Sequence, residues 1–246
     1  MNLRLGSTSG EKHPGDAASI RDGELELAAI AGGRASGLMA DRTYDMLKRC
    51  IDLCGALVGL LLFAPVMLGV AMLIRLDSPG PVLFRQLRRG RNGRLFYVLK
   101  FRTMVADAER KLKELEQFNE SENGVLFKMK HDPRVTPLGR FLRRSSLDEL
   151  PQFLNVIRGE MSLVGPRPLQ LRDSDKLLDL DPEGYDTRLK VLPGLTGPWQ
   201  VGGRSDIDYA QMVELDREYV ESRSLLGDIR IIFQTVLVVV VGRGAY

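Results

Sequence analysis

Asp148 and Glu149 stand side by side in "RRSSLDELPQFLNV", directly behind Arg143 and Arg144 and just ahead of Pro151. Neighbouring carboxylates can divide labour in phosphoryl chemistry: one attacks phosphorus while the other holds a divalent cation. A plainer role competes. Ser146-Leu147-Asp148-Glu149 matches the S-x-x-E capping box, and acidic residues suit a helix's first turn. Pro151 discriminates between placements of that helix. With Ser146 as N-cap the proline would be the fifth helical residue, where its missing N–H matters; with Asp148 as N-cap it is third and harmless. The spacing therefore predicts a helix starting at Asp148, its carboxylate at the positive end of the dipole, where phosphate is also attracted. Capping explains Asp148 but leaves Glu149 and the arginines without a role.

Further basic side chains accompany the pair: Lys100 and Arg102 in "KFRTM", and Arg167 in "GPRP". Arginine forks fit phosphate oxygens, and magnesium favours one or two carboxylates plus phosphate, so the set suits anionic, phosphorylated substrates. From composition alone a structural salt-bridge cluster explains the same residues, and both readings stay open at this point. Other motifs carry less. Asp173–Asp175, Asp179–Asp181 and Asp206–Asp208 spell D-x-D three times, none behind an evident buried strand, which reads as background. Neither a P-loop nor a strand-following G-x-G-x-x-G occurs. His13 and His131 have no histidine neighbour with which to build a familiar site, and Cys50 and Cys54 lack zinc-ligand company and read as reduced thiols.

The elements that must position these residues follow from hydropathy. Leu53 to Ile74, "LCGALVGLLLFAPVMLGVAMLI", carries no charge and is long enough to cross a bilayer. Arg42, Lys48 and Arg49 precede it; Arg75, Arg85, Arg88, Arg89, Arg91 and Arg94 follow it. Positive charge marks the cytoplasmic side, and a spanning helix would export one of these flanks. With Pro65 near the middle, the economical expectation is a re-entrant helix-break-helix that returns to the same face; a kinked spanning helix is the alternative. The first 43 residues read as a flexible tail with room for a short helix at "GELELAAIA", 44–78 as the membrane segment, and 79–246 as a cytoplasmic-face body. The fold class expected is α+β, mostly helical.

Within the body, Asn92-Gly93 between two β-rich runs predicts a hairpin, its arginine-rich tip suited to lipid headgroups or to solvent. "FRTMVADAERKLKELEQF" and "IDYAQMVELDREYVESRSLLGD" have helical spacing, "RLKVLPGLTGPWQVGGRSD" reads as irregular, and "IRIIFQTVLVVVV" as a buried or interface-lying terminal helix. A net charge of +3 over 246 residues does not imply nucleic acid.

From about Tyr44 onward the chain resembles the bacterial sugar transferases, specifically the monotopic polyprenyl-phosphate phosphoglycosyl transferases. The resemblance rests on "KFRTM", "DPRVTPLGRFLRRSSLDELPQFLNVIRGEMSLVGPRP" and "PGLTGPWQVGGRS", in that order. It implies transfer of a sugar-1-phosphate from a UDP-sugar to undecaprenyl phosphate at the cytoplasmic face of the bacterial inner membrane, with release of UMP and magnesium as cofactor. It makes Asp148 the nucleophile of a ping-pong reaction, Glu149 the magnesium ligand, Arg143 the brace of the pair, and Lys100 and Arg167 groups facing substrate phosphates; Arg102 and Arg144, basic residues beside them, are expected to bind substrate as well. Pro65 matches the helix-breaking proline, although Ala64 stands where some relatives carry a serine. The length and the ending "GRGAY" look most like exopolysaccharide-initiating enzymes that use galactose or glucose. A homodimer fits the apolar terminal element. Two other readings compete: a non-catalytic membrane subunit of a polysaccharide assembly complex, and a glycosyltransferase that moves a sugar without its phosphate.

Overall fold

The computed structural model describes residues 14–105, 107–115, 129, 131–203 and 209–241. The chain forms two compact units, Met1–Met46 and Leu47–Tyr246. In the first, helix α1 (Pro14–Asp77) already begins at Pro14, earlier than the short helix expected there. The Glu-, Leu- and Ala-rich run supplies strong helix formers that outweigh its glycines. α1 remains one helix through Pro65, so the proline removes a backbone hydrogen bond without ending the element.

Thr43–Asp77 is long and apolar enough to cross a membrane, the one such helix among the described residues. Leu57, Leu61, Leu62, Leu68, Met72 and Leu76 are all exposed along it. A continuous apolar surface of that extent marks contact with something other than water.

The second unit holds this helix at two places. Near its start, Arg49 donates to the carbonyls of Val156 (2.7 Å) and Ile157 (2.9 Å), the negative end of helix α4 (Phe153–Arg158). Ala56 enters a cluster with Val156, Met161 and Leu163, and a Cβ on Gly59 would lie 2.6 Å from the Phe153 ring. Near its end, Val70 and Ile74 pack against Phe101 and Leu142. Buried polar groups reinforce the first contact. Lys48 Nζ lies 2.9 Å from Asp52 and 3.2 Å from Asp228, and Asp52 accepts from the backbone N–H of Leu163 at 3.0 Å.

Strands β1 (Leu83–Arg89) and β2 (Leu95–Phe101) form the expected hairpin, with Leu87 opposite Tyr97 and Phe84 opposite Lys100. Its turn places Asn92 at φ 56° and Gly93 at φ 74°, the left-handed conformation those two residues tolerate best. Helix α2 (Ala108–Leu115) is shorter than its sequence pattern: Phe101 ends β2 and Met104 bridges to Val135 before the helix begins. Its expected continuation lies outside the described residues. Helix α3 (Pro137–Arg144) is capped by Thr136 and leads into a 3₁₀ segment, Leu147–Gln152, followed by α4.

The glycine- and proline-rich stretch is more regular than its sequence suggests. Strand β3 (Ser162–Val164) pairs in parallel with β4 (Gly194–Thr196), and the short helix α7 (Pro198–Gly202) follows. Three-residue strands are too brief to show alternation, which is why the pattern hides them. Between them lie α5 (Leu171–Leu180) and α6 (Pro182–Leu189), and α8 (Tyr209–Ser222) and α9 (Leu225–Val241) close the unit. The result is mostly helical α+β with two small sheets.

Candidate active site

The helix expected to start with Asp148 as its N-cap does not form; the turn starts at Leu147, directly behind Ser146. Ser146 adopts φ 56° with no side-chain cap bond, and the helical turn after it is 3₁₀, with Asp148 and Glu149 inside it rather than at its cap. Pro151 sits inside this turn, where its ring would crowd the carbonyl of Leu147 if the turn were α-helical, and α-helical geometry begins only at Phe153. Successive residues of a 3₁₀ turn diverge by about 120°. That divergence, reinforced by a left-handed non-glycine residue just upstream, sends the two carboxylates to different surroundings.

Glu149 Oε1 receives Lys100 Nζ at 2.7 Å and Arg167 Nη2 at 3.0 Å. Burial pushes its carboxyl up, but the two cations outweigh burial and hold it far below the usual carboxylate range. Asp148 is 7% exposed and, among the described residues, accepts no hydrogen bond. Burial pushes its carboxyl up to about 6, with the pull of Lys100 opposing and the charge of Glu149 adding. Divergent shifts on neighbouring acids are a sign of divided chemical roles. Arg143 stands beside Asp148 and is anchored through Nε to Thr103 Oγ1 at 3.1 Å.

Arg167 sits on the loop after β3. Its guanidinium lies 5.2 Å from the centroid of the Trp199 ring while bonding Glu149, and its backbone carbonyl accepts from Arg188 at 2.6 Å. Arg188 in turn pairs with fully buried Asp216. Thus Lys100, Arg143, Arg167, Asp148 and Glu149 converge. Arg102 is placed differently: it is buried and donates to Ser78 O (2.6 Å), Ser78 Oγ (2.9 Å) and Pro79 O (3.0 Å), clamping the loop after α1. Arg144 is exposed at the end of α3. His131 is exposed; Asp173 meets Arg172, Asp175 meets Arg89, and Asp181 caps α6, so these acids serve local structure, while Asp206–Asp208 lies outside the described residues.

Trp199 and the Arg188–Asp216 brace escape sequence reasoning because the contacts that join them to Arg167 are remote in the chain. Arg88 also belongs to this neighbourhood, its charge acting on both Lys100 and Glu149. No signal for it exists in the sequence: a two-residue Asn92-Gly93 turn would set Arg88 opposite Tyr97, on the face away from Lys100, whereas the observed register sets it opposite Phe96 and so on the face of Lys100.

A pair of carboxylates in contrasting environments, ringed by fixed cations, has the chemistry to receive an anionic ligand such as a phosphate. The chain belongs to the bacterial sugar transferase family, which it matches over residues 43–242. It is 44% identical to the exopolysaccharide production protein ExoY of Rhizobium meliloti, over 82% of this chain and 88% of that one. It is 41% identical to the undecaprenyl-phosphate galactose phosphotransferase of Salmonella typhimurium, over 87% of this chain and 44% of that one. The galactosyl transferase CpsE of Streptococcus agalactiae is 44% identical over 80% of this chain. Against these last two the chain spans less than half of the relative's length.

Proposed function

We propose that the protein transfers a sugar-1-phosphate, with galactose or glucose as the sugar, from a UDP-sugar to undecaprenyl phosphate and so initiates exopolysaccharide synthesis. The observation that carries this reading is the contrast within the pair: Asp148 unbonded and raised, Glu149 clamped by Lys100 and Arg167 and lowered. A carboxylate with a raised pKa that is still ionised near neutrality is the better nucleophile of the two.

In this mechanism an Asp148 oxygen bonds to the phosphorus that bears the sugar, and the P–O bond to the uridine-linked phosphate breaks, releasing UMP. A phosphate oxygen of undecaprenyl phosphate then attacks the same phosphorus. The Asp148–phosphorus bond breaks, leaving undecaprenyl-diphospho-sugar and a regenerated carboxylate. Arg143 holds Asp148 in line, and Lys100 and Arg167 keep Glu149 oriented. Magnesium suits this donor set, because it takes one or two carboxylates and fills its remaining positions with substrate phosphate oxygens and water, and Lys100 and Arg167 both engage the same Glu149 oxygen. Glu149 would hold it through the oxygen not engaged by Lys100, and it would offset charge on the diphosphate.

The contacts of α1 support a re-entrant rather than a spanning arrangement. Asp52 and Ile74 are separated by about 33 Å along a helix, comparable to the hydrocarbon core of a bilayer. Yet the helix meets the same body at both ends, at Leu163 and at Phe101 and Leu142. A spanning helix would put those contacts on opposite sides of the membrane; a helix that dips and returns keeps the body on one face, here taken as cytoplasmic.

The test uses protein in lipid nanodiscs with magnesium, undecaprenyl phosphate and a panel of UDP-sugars, measuring nucleotide release. UMP with one sugar, abolished in Asp148→Asn and Glu149→Gln, is the expected result. Release of UDP would assign transfer of the sugar without its phosphate, and no release with any donor would favour a non-catalytic subunit.

A further inference from the structure

Arg88 is a half-buried cation whose hydrogen-bond partners are all neutral. On the hairpin, Phe84, Gln86 and Arg88 face the same side as Phe96, Val98 and Lys100, the side that carries Lys100 to Glu149. The guanidinium is held firmly: Nη1 donates to the Pro168 carbonyl at 3.0 Å, Nη2 donates to Gln86 Oε1, and Gln86 is itself tied to Gln170 at 3.1 Å. These partners are neutral. Nε is enclosed and has no partner at all. Among the described residues Arg88 makes no ion pair, because the carboxylates nearest in charge are already taken: Glu149 by Lys100 and Arg167, and Asp173 by Arg172.

Enclosing a guanidinium without an ion-pair partner is costly, and the arrangement is explained when an anion arrives to complete it. The neighbourhood has room in its charge balance for one. Arg88, Lys100, Arg143 and Arg167 set four cations against Asp148, Glu149 and, beside Arg88, Asp173. Desolvation and Arg167 lower the Arg88 pKa only to about 10, so the group is charged throughout the working range.

We propose that Arg88 binds a phosphate oxygen of substrate beside the Asp148–Glu149 pair, acting as a fixed cation that positions the phosphate. This rests on the reading that phosphate-bearing substrates occupy the site. Two sources offer the same chemistry, the diphosphate of the nucleotide-sugar and the phosphate of the polyprenyl acceptor, and separate measurements distinguish them.

The probe for the first is UDP, its binding to Arg88→Met, Arg88→Lys and wild-type protein in nanodiscs followed by calorimetry. Loss of a charge-assisted contact is expected to weaken binding by about 10- to 100-fold in Arg88→Met. Arg88→Lys, which keeps the charge but loses the planar fork, should fall between the two. UMP–UDP-sugar exchange without acceptor gives a donor KM, and transfer at saturating donor gives an acceptor KM. A rise in either, with kcat changed less, supports the proposal and names the phosphate. Gln86→Leu, which removes a support of Arg88 without removing charge, is the structural control and should shift these values less than Arg88→Met does. If Arg88→Met does not fold, Arg88→Lys decides alone. The proposal is overturned when folded variants keep the UDP Kd and both KM values within about twofold of wild type. Should no UDP-sugar yield UMP, the proposed reaction fails, while UDP and undecaprenyl phosphate binding still decide Arg88.

Discussion

Replacing Asp148 by Asn should stabilise the protein while abolishing turnover. Burial and the charge of Glu149 carry the Asp148 carboxyl from 3.8 to about 6, against the pull of Lys100 and the nearby arginines. Each pKa unit corresponds to about 1.4 kcal/mol, so the ionised form destabilises the folded state at pH 7.5 by on the order of 3 kcal/mol. A raised carboxyl leaves stability intact below its unfolded pKa and removes it progressively as pH rises through its folded one. The penalty is therefore absent below about pH 4, roughly half developed at pH 5, and complete above about pH 7. An amide of the same shape carries no charge and escapes it. For a chain of this size the gain corresponds to roughly 5–10 °C in Tm at pH 7.5, falling to about half at pH 5. The single tryptophan, Trp199, lies against Arg167 and offers a fluorescence report on unfolding of this region in nanodiscs. A Tm that falls in Asp148→Asn, or a gain as large at pH 5 as at pH 7.5, would refute the assignment of Asp148 as a desolvated carboxylate.

The same shift predicts the acidic limb of the reaction: the nucleophile must be ionised, so kcat/KM should decline about tenfold per unit as pH falls below about 6, as a pH–rate profile would show. Lys48→Met leaves Asp52 and Asp228 buried without their shared cation and should destabilise by about 3–5 kcal/mol, read as a lowered Tm that the double variant Lys48→Met/Asp228→Asn partly restores. Gly139→Ala drives a methyl into the backbone carbonyl of Thr103, the residue that anchors Arg143; a loss of about 1–3 kcal/mol with reduced turnover is expected in unfolding and rate assays.

Residues 53–74 declare a helix long and apolar enough to cross a membrane, because composition and length alone decide that property, and the Asn92-Gly93 hairpin is equally legible, although its register, with Arg89 opposite Leu95, is one residue off the one a two-residue turn would set. Asp148 and Glu149 could be singled out from their adjacency, but the inference from Pro151 that a helix starts with Asp148 as its N-cap is wrong: the turn starts at Leu147, behind Ser146, with Pro151 inside it. What local pattern could not supply was the conformation adopted instead: a 3₁₀ turn led by a left-handed serine, which parts two side chains that sequence makes neighbours. Only tertiary structure then made them chemically unlike, by setting Lys100 and Arg167 on one and burial on the other. It also separated Arg102, spent on the loop after α1, from Lys100 two residues earlier, and gathered Arg88, Trp199 and the Arg188–Asp216 brace around the site. The residue types that permit the chemistry are local information. Their charge states and partners depend on desolvation and on contacts distant in the chain, and those exist only once the chain has folded.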